Sequence, residues 1–112
     1  MKLSYEGIGA WSATFATETA VAGQVVKMSG TETVAACADG EAFCGVARNV
    51  RNGVCAVQLG GLTEVAYSGG APAVGQATLV ANGQGGVRTN ASGQSVLVIA
   101  VDEGAEKCVI KL

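Results

Sequence analysis

Val54-Cys55-Ala56-Val57-Gln58-Leu59 and Lys107-Cys108-Val109-Ile110-Lys111-Leu112 carry one pattern twice, at an offset of 53 residues. Side chains alternate across a β-strand. In the second copy Lys107, Val109 and Lys111 therefore face outward, and Cys108, Ile110 and Leu112 inward. The first copy agrees, with Val54, Ala56 and Gln58 outward and Cys55, Val57 and Leu59 inward. A one-residue slip would expose the apolar set, so the register is strongly specified, and Leu112 is expected in the core.

Working outward, Val21-Ala22-Gly23-Gln24-Val25-Val26 and Ala73-Val74-Gly75-Gln76-Ala77-Thr78-Leu79 each place Gly-Gln at the entry to a strand. Two related halves follow, about 21–59 and 73–112, joined by residues 60–72. Strands are predicted over 24–28, 33–36, 43–48, 54–59, 62–67, 77–80, 86–89, 95–101 and 107–112. Between them lie Ser29-Gly30, Asp39-Gly40, Asn52-Gly53, Gly69-Gly70, Asn82-Gly83, Ser92-Gly93 and Glu103-Gly104, pairs suited to short β connections because Gly and Asn accept positive φ. The expectation is an all-β chain: a small β-barrel or sandwich of about 8–9 short strands, built from two related halves. Residues 1–20 read as an N-terminal arm ahead of a single β domain over 21–112.

Composition supports a folded but thinly cored chain. Of 112 residues, Ala, Gly and Val supply 19, 17 and 16. Small side chains bury little area each, at roughly 25 cal/mol per Å², so association with other copies is the expected remedy. The sequence contains no His, only 14% charged residues and a net charge of −2. Without His, general acid-base catalysis near neutral pH loses its commonest agent, and no carboxylate or lysine site stands out. The expectation is a non-enzyme without cofactor or metal. No basic cluster suggests nucleic acid, and no apolar run is long enough to span a membrane as a helix. Met1-Lys2-Leu3-Ser4-Tyr5-Glu6 lacks the apolar run of a signal peptide, so cytosolic synthesis is expected.

Several motifs resolve to ordinary structure. Cys37, Cys44, Cys55 and Cys108 fit no zinc spacing and read as small buried thiols, with a disulfide in an oxidised particle as the alternative. Gly83-Gln84-Gly85-Gly86 opens no nucleotide-binding helix and reads as a turn. Asp102, Glu103 and Glu106 lack the spacing of a calcium loop. Asn90-Ala91-Ser92 fits the glycosylation rule without a secretory context. Lys27, beside Met28 and before Ser29-Gly30, has a faint likeness to the hairpin lysine of biotinyl and lipoyl carrier domains, although the flanking acids and second Met are missing.

Two groups are candidate partner contacts. Tyr5, Trp11 and Phe15 concentrate aromatic residues in the arm, which either closes its own barrel or lies on a partner, where Trp and Tyr are enriched at binding hot spots. Arg48 and Arg51 flank a predicted turn and are placed to meet a partner's carboxylates.

Gly-Gln-Val-Val-Lys-Met at 23–28, Phe-Cys-Gly-Val-Ala at 43–47, Val-Gln-Leu-Gly-Gly-Leu-Thr-Glu-Val at 57–65 and Val-Gly-Gln-Ala-Thr-Leu-Val-Ala-Asn-Gly at 74–83 together resemble the small head decoration, or capsid cement, proteins of tailed bacteriophages and prophages. The likeness covers about residues 20–112 and leaves the first 20 unmatched. It implies a virion structural protein on the capsid exterior, made in the bacterial cytoplasm, binding the major capsid protein as a homo-oligomer with a trimer favoured. The family brings no catalytic residues with it. The other readings are a different virion β-module, of tail or baseplate, and the carrier domain.

Overall fold

The computed structural model describes residues 11–112. Among them are ten strands and no helix: β1 Trp11–Thr17, β2 Val25–Gly30, β3 Thr33–Ala36, β4 Gly45–Arg51, β5 Val54–Gly60, β6 Leu62–Ala66, β7 Gly75–Ala81, β8 Val87–Thr89, β9 Gln94–Asp102 and β10 Lys107–Lys111. The all-β expectation holds. Six of the seven expected turn pairs fall between strands, but Ser29-Gly30 lies inside β2, and Glu32, at φ 53°, makes the turn instead.

Residues 11–60 form a closed barrel in the order β1-β3-β2-β4-β5. Closure comes from β1, antiparallel to β5 through Ala16↔Val54 and parallel to β3 through Thr17↔Val34. The first correction follows: Trp11–Thr17, grouped by sequence with an arm, is a wall strand of the barrel. Trp11, Ala13 and Phe15 alternate with Ser12 and Thr14, as in a strand, but by sequence the aromatics group the segment with the arm. Its pairing with β5 and β3 places it in the barrel wall.

Residues 62–111 form a second sheet in the order β6-β10-β9-β7-β8. The two pairing diagrams are the same, with β6 to β10 replacing β1 to β5. Even the parallel closure has a counterpart, because Tyr67 and Val87 make a single parallel bridge between the β6 and β8 edges. One bulge recurs at the same place in both lobes, Arg48 on β4 opposite β5 and Ile99 on β9 opposite β10, while the register shifts in β1–β5 and β2–β3 belong to the first lobe. The repeat expected from sequence is therefore real but longer on its N-terminal side. Residues 60–72, expected as a joiner, include the opening strand β6. The opening strands share no motif, so short identities could not extend the match to them.

Inside the barrel, Val26, Val34, Ala47, Cys55 and Val57 pack with the half-buried Phe15 and Leu59. The second core contains Val65, Tyr67, Leu79, Val87, Val98, Cys108 and Ile110, and it also takes in Val25, Cys37, Phe43 and Val46 from the first lobe. Cys108 and Ile110 point inward as expected, and Leu112 packs half-buried against the same core.

The connection from β3 to β4 joins the lobes. Gly40 N donates to Ala81 O and Ala81 N to Glu41 O, both at 2.8 Å, so this loop pairs with the end of β7 like a short strand. The Gln94 amide accepts from Phe43 N and donates to Phe43 O at 3.1 Å each. Burying Phe43 at this seam contributes roughly 1.5–3 kcal/mol. Among the described residues every buried side-chain nitrogen and oxygen has a hydrogen-bond partner, which is what burial of polar groups demands.

Candidate functional site

Of the five residues singled out in the sequence, Tyr5 lies outside the described residues, and the other four are not brought together. Phe15 turns into the barrel and packs on its core, so its ring serves the fold. Trp11 is 57% exposed at the start of β1. Its indole covers Gly60, where any Cβ would overlap the ring.

Arg48 is not at a turn. It occupies the β4 bulge, and its guanidinium donates to Gln58 Oε1 at 2.7 and 3.0 Å and to Thr63 Oγ1 at 2.5 Å. Gln58, expected to face solvent, is only 5% exposed and donates to Gly60 O and Leu62 O. This network clamps the chain where it passes from the first lobe to the second. A bulge residue re-aimed across the sheet is a common use of that irregularity, but nothing in sequence spacing marks one.

Arg51 is exposed at the end of β4, beside the β4–β5 turn Asn52-Gly53, and pairs with no carboxylate among the described residues. Trp11 pairs with Gly60 at one end of the β1–β5 ladder, and Arg51 on β4 pairs with Val54 at the other, an offset along the strands of about 17 Å at a rise of roughly 3.4 Å per residue.

Between them lies the outer face of β1, β5 and β4. One cross-strand row is Ala16, Val54 and Arg51, and the next is Thr14, Ala56 and Asn49. All are small or neutral except Arg51, and Val54 is 45% exposed. The matching rows on β6, β10 and β9 are Ala66, Lys107 and Asp102, then Glu64, Val109 and Ala100. That face is charged, with Lys107 3.8 Å from Glu64. Of the six large hydrophobic residues exposed among the described residues, Trp11, Val21, Met28, Val50 and Val54 are in the first lobe and only Val74 is beyond it. Interface centres are depleted in charge, so the first-lobe face is the candidate site. Its signal was present in the sequence at one position: outward Val54 stands where the repeat has Lys107, whereas Val109, expected outward opposite Ala56 in the repeat, is buried.

The remaining reactive groups are engaged or suppressed. Burial, helped by Glu41, pushes the Cys37 thiol up to about 11, and burial pushes Cys108 to about 11. Burial also raises Cys44 and Cys55. All four are free thiols, and thiols held protonated are poor nucleophiles. The Arg88 hydrogen bond holds the Asp39 carboxyl below its usual range, and Lys27 does the same for Glu41. Lys27 lies within β2 opposite Ala35, its ammonium on Glu41 at 2.5 Å. A carrier lysine is presented at an exposed turn, and this one is not. Asp102 Oδ1 accepts from Ala105 N and Asn90 Oδ1 from Ser92 N, so both acids and amides at these tips shape their own turns. No group of three His, Cys, Asp or Glu able to hold a metal ion occurs among the described residues. A shallow hollow at the β1–β3 seam, lined by Thr17, Glu18, Thr19, Ser29 and Thr33, brings no set of reactive groups together.

No family model matches this chain, and no curated protein matches it.

Proposed function

We propose that the chain is a non-enzymatic virion protein of a phage or prophage that binds the outside of the assembled capsid and stabilises the head. The observation that carries this reading is the nearly uncharged outer face of β1, β5 and β4, set on a closed barrel whose partner lobe presents Lys107, Glu64 and Asp102 at the matching rows. Strand-built faces are rigid, so docking one costs little ordering entropy. The motif resemblance over residues 20–112 supplies the identity of the partner, the major capsid protein. The protein would be made in the bacterial cytoplasm and act at the virion surface, as a homo-oligomer with a trimer favoured.

Each bound copy stabilises the assembled shell over its dissociated subunits by mass action, and many copies on a symmetric shell multiply the effect. Adding the purified chain to undecorated capsids is expected to raise their disruption temperature. Absence of binding at micromolar concentration overturns the proposal, and electron microscopy of labelled particles that places the chain on a tail or baseplate replaces it with that role.

A further inference from the structure

Asn-Gly occurs twice, at Asn52-Gly53 and Asn82-Gly83, and the two environments are opposed. At Asn52-Gly53 both residues have positive φ, 50° and 80°, as a two-residue hairpin turn of the I′ type requires. The pair is exposed, and among the described residues neither the Asn52 side chain nor the Gly53 amide nitrogen is engaged in a hydrogen bond. Asn82 is locked. Its Oδ1 accepts from Gln84 N at 2.8 Å and Gly86 N at 3.1 Å, while its Nδ2 donates to Ser68 Oγ at 3.1 Å. Gly83 is also covered, since a Cβ placed there would lie 3.0 Å from Asp39 N.

We infer that Asn52 is a site of spontaneous covalent modification in the folded protein, deamidating through a succinimide, and that Asn82 is protected. The Gly53 main-chain nitrogen attacks Asn52 Cγ. A bond forms between them, the Cγ–Nδ2 bond breaks, and ammonia leaves with the proton from Gly53. Water, the only co-reactant, then opens the ring at either carbonyl, yielding aspartate or isoaspartate. Gly53 has no Cβ to screen its nitrogen, and the exposed turn leaves the Asn52 amide free to rotate toward it. At Asn82 the same rotation must first break three hydrogen bonds and lift Asp39 from Gly83.

Either product places a carboxylate next to Arg51, on the edge of the outer face described above. The isoaspartate also adds a methylene to the main chain of a turn whose length sets the β4–β5 register. It thereby disturbs the bond from Thr17 N to Gly53 O, 2.9 Å long, that ties β1 to the hairpin.

The test is to hold the purified full chain at mildly alkaline pH, folded or in urea, and localise amide-to-acid conversion by fragmentation mass spectrometry, with isoaspartyl methyltransferase labelling to identify the isoaspartate. In the folded chain, conversion at Asn52 is expected to run at least about tenfold faster than at Asn82, whose reaction waits on local opening. In urea the two rates are expected to converge. Equal rates in the folded chain, a faster Asn82, or conversion of Asn52 only after unfolding would each overturn the inference.

Discussion

The two lobes share a pairing diagram, a closing parallel contact and a bulge, yet they differ in what they lend and what they show. The barrel of residues 11–60 keeps a core of its own residues, whereas the second sheet completes its core with Val25, Cys37, Phe43 and Val46 from the barrel. On the outside, the exposed Val54 on β5 stands where β10 has the exposed Lys107. A strand's inward residues are constrained by packing and its outward ones are not. A duplicated fold can therefore hold its interior pattern constant while one copy supports and the other presents a surface.

The one-way dependence of the cores gives the largest expected effect. Phe43→Ala removes a ring that is 4% exposed and is expected to cost about 3–5 kcal/mol, read as a lower urea midpoint. Hydrogen exchange should then rise first in β7 and β9, before β1 and β5, since cooperative units open separately. A loss of well under 1 kcal/mol would mean that the second lobe stands alone.

Gln58 and Lys111 occupy matching positions beside the two bulges, which allows a sharper comparison. Gln58→Ala strips two hydrogen bonds from Arg48 and removes the side-chain donor that reaches Gly60 O and Leu62 O. A buried group left unsatisfied costs about 1–3 kcal/mol. Lys111→Ala, on an exposed side chain, should stay within about 0.5 kcal/mol. Equal effects in thermal unfolding would show that the clamp contributes nothing at the lobe junction.

The pH profile separates the seam from the cores, with a smaller effect. Asp39 and Glu41 have folded pKa values below their unfolded ones. Their stabilising effect is present above the unfolded values near 4 and is lost as pH falls through the folded ones. Arg88→Ala should flatten that acid limb. The thiols act at the other end: Cys37 and Cys108 move from 9.0 to about 11, so the fold holds their protons more tightly. Stability is intact below pH 9 and declines as pH climbs toward 11. Replacing Cys37 by Ser should weaken that decline, measured as thermal midpoint against pH.

How much of this was legible in the sequence depended on whether a feature is local. Alternation over Lys107–Lys111 and Val54–Gly60 disclosed strand, face and repeat, because one buried face forces a period of two. Turn chemistry at Asn52-Gly53 and Asn82-Gly83 was equally local. The role of Trp11–Thr17 was not, since the alternation of Trp11, Ala13 and Phe15 with Ser12 and Thr14 marks a strand without naming its partners, β3 and β5. The arginines divided for the same reason. Arg51 sits beside a turn that the sequence announces, whereas Arg48 points where a bulge sends it, toward a Gln58 that spacing alone would leave in solvent.

The smallest expected change in stability carries the most information about function. Val54→Lys gives β5 the residue that β10 has at the matching position, Lys107. Val54 is 45% exposed on a regular strand, so stability should move by no more than about 0.5 kcal/mol. If the outer face of β1, β5 and β4 docks on the capsid, a lysine in its Ala16–Val54–Arg51 row must be desolvated beside Arg51 without a partner, and affinity should fall by about tenfold or more, measured by sedimentation with undecorated capsids. Lys107→Val, the reverse exchange on the charged lobe, should leave binding unchanged. Unaltered binding by Val54→Lys would exclude this face as the contact, and loss of binding by Lys107→Val instead would transfer the docking role to the second lobe.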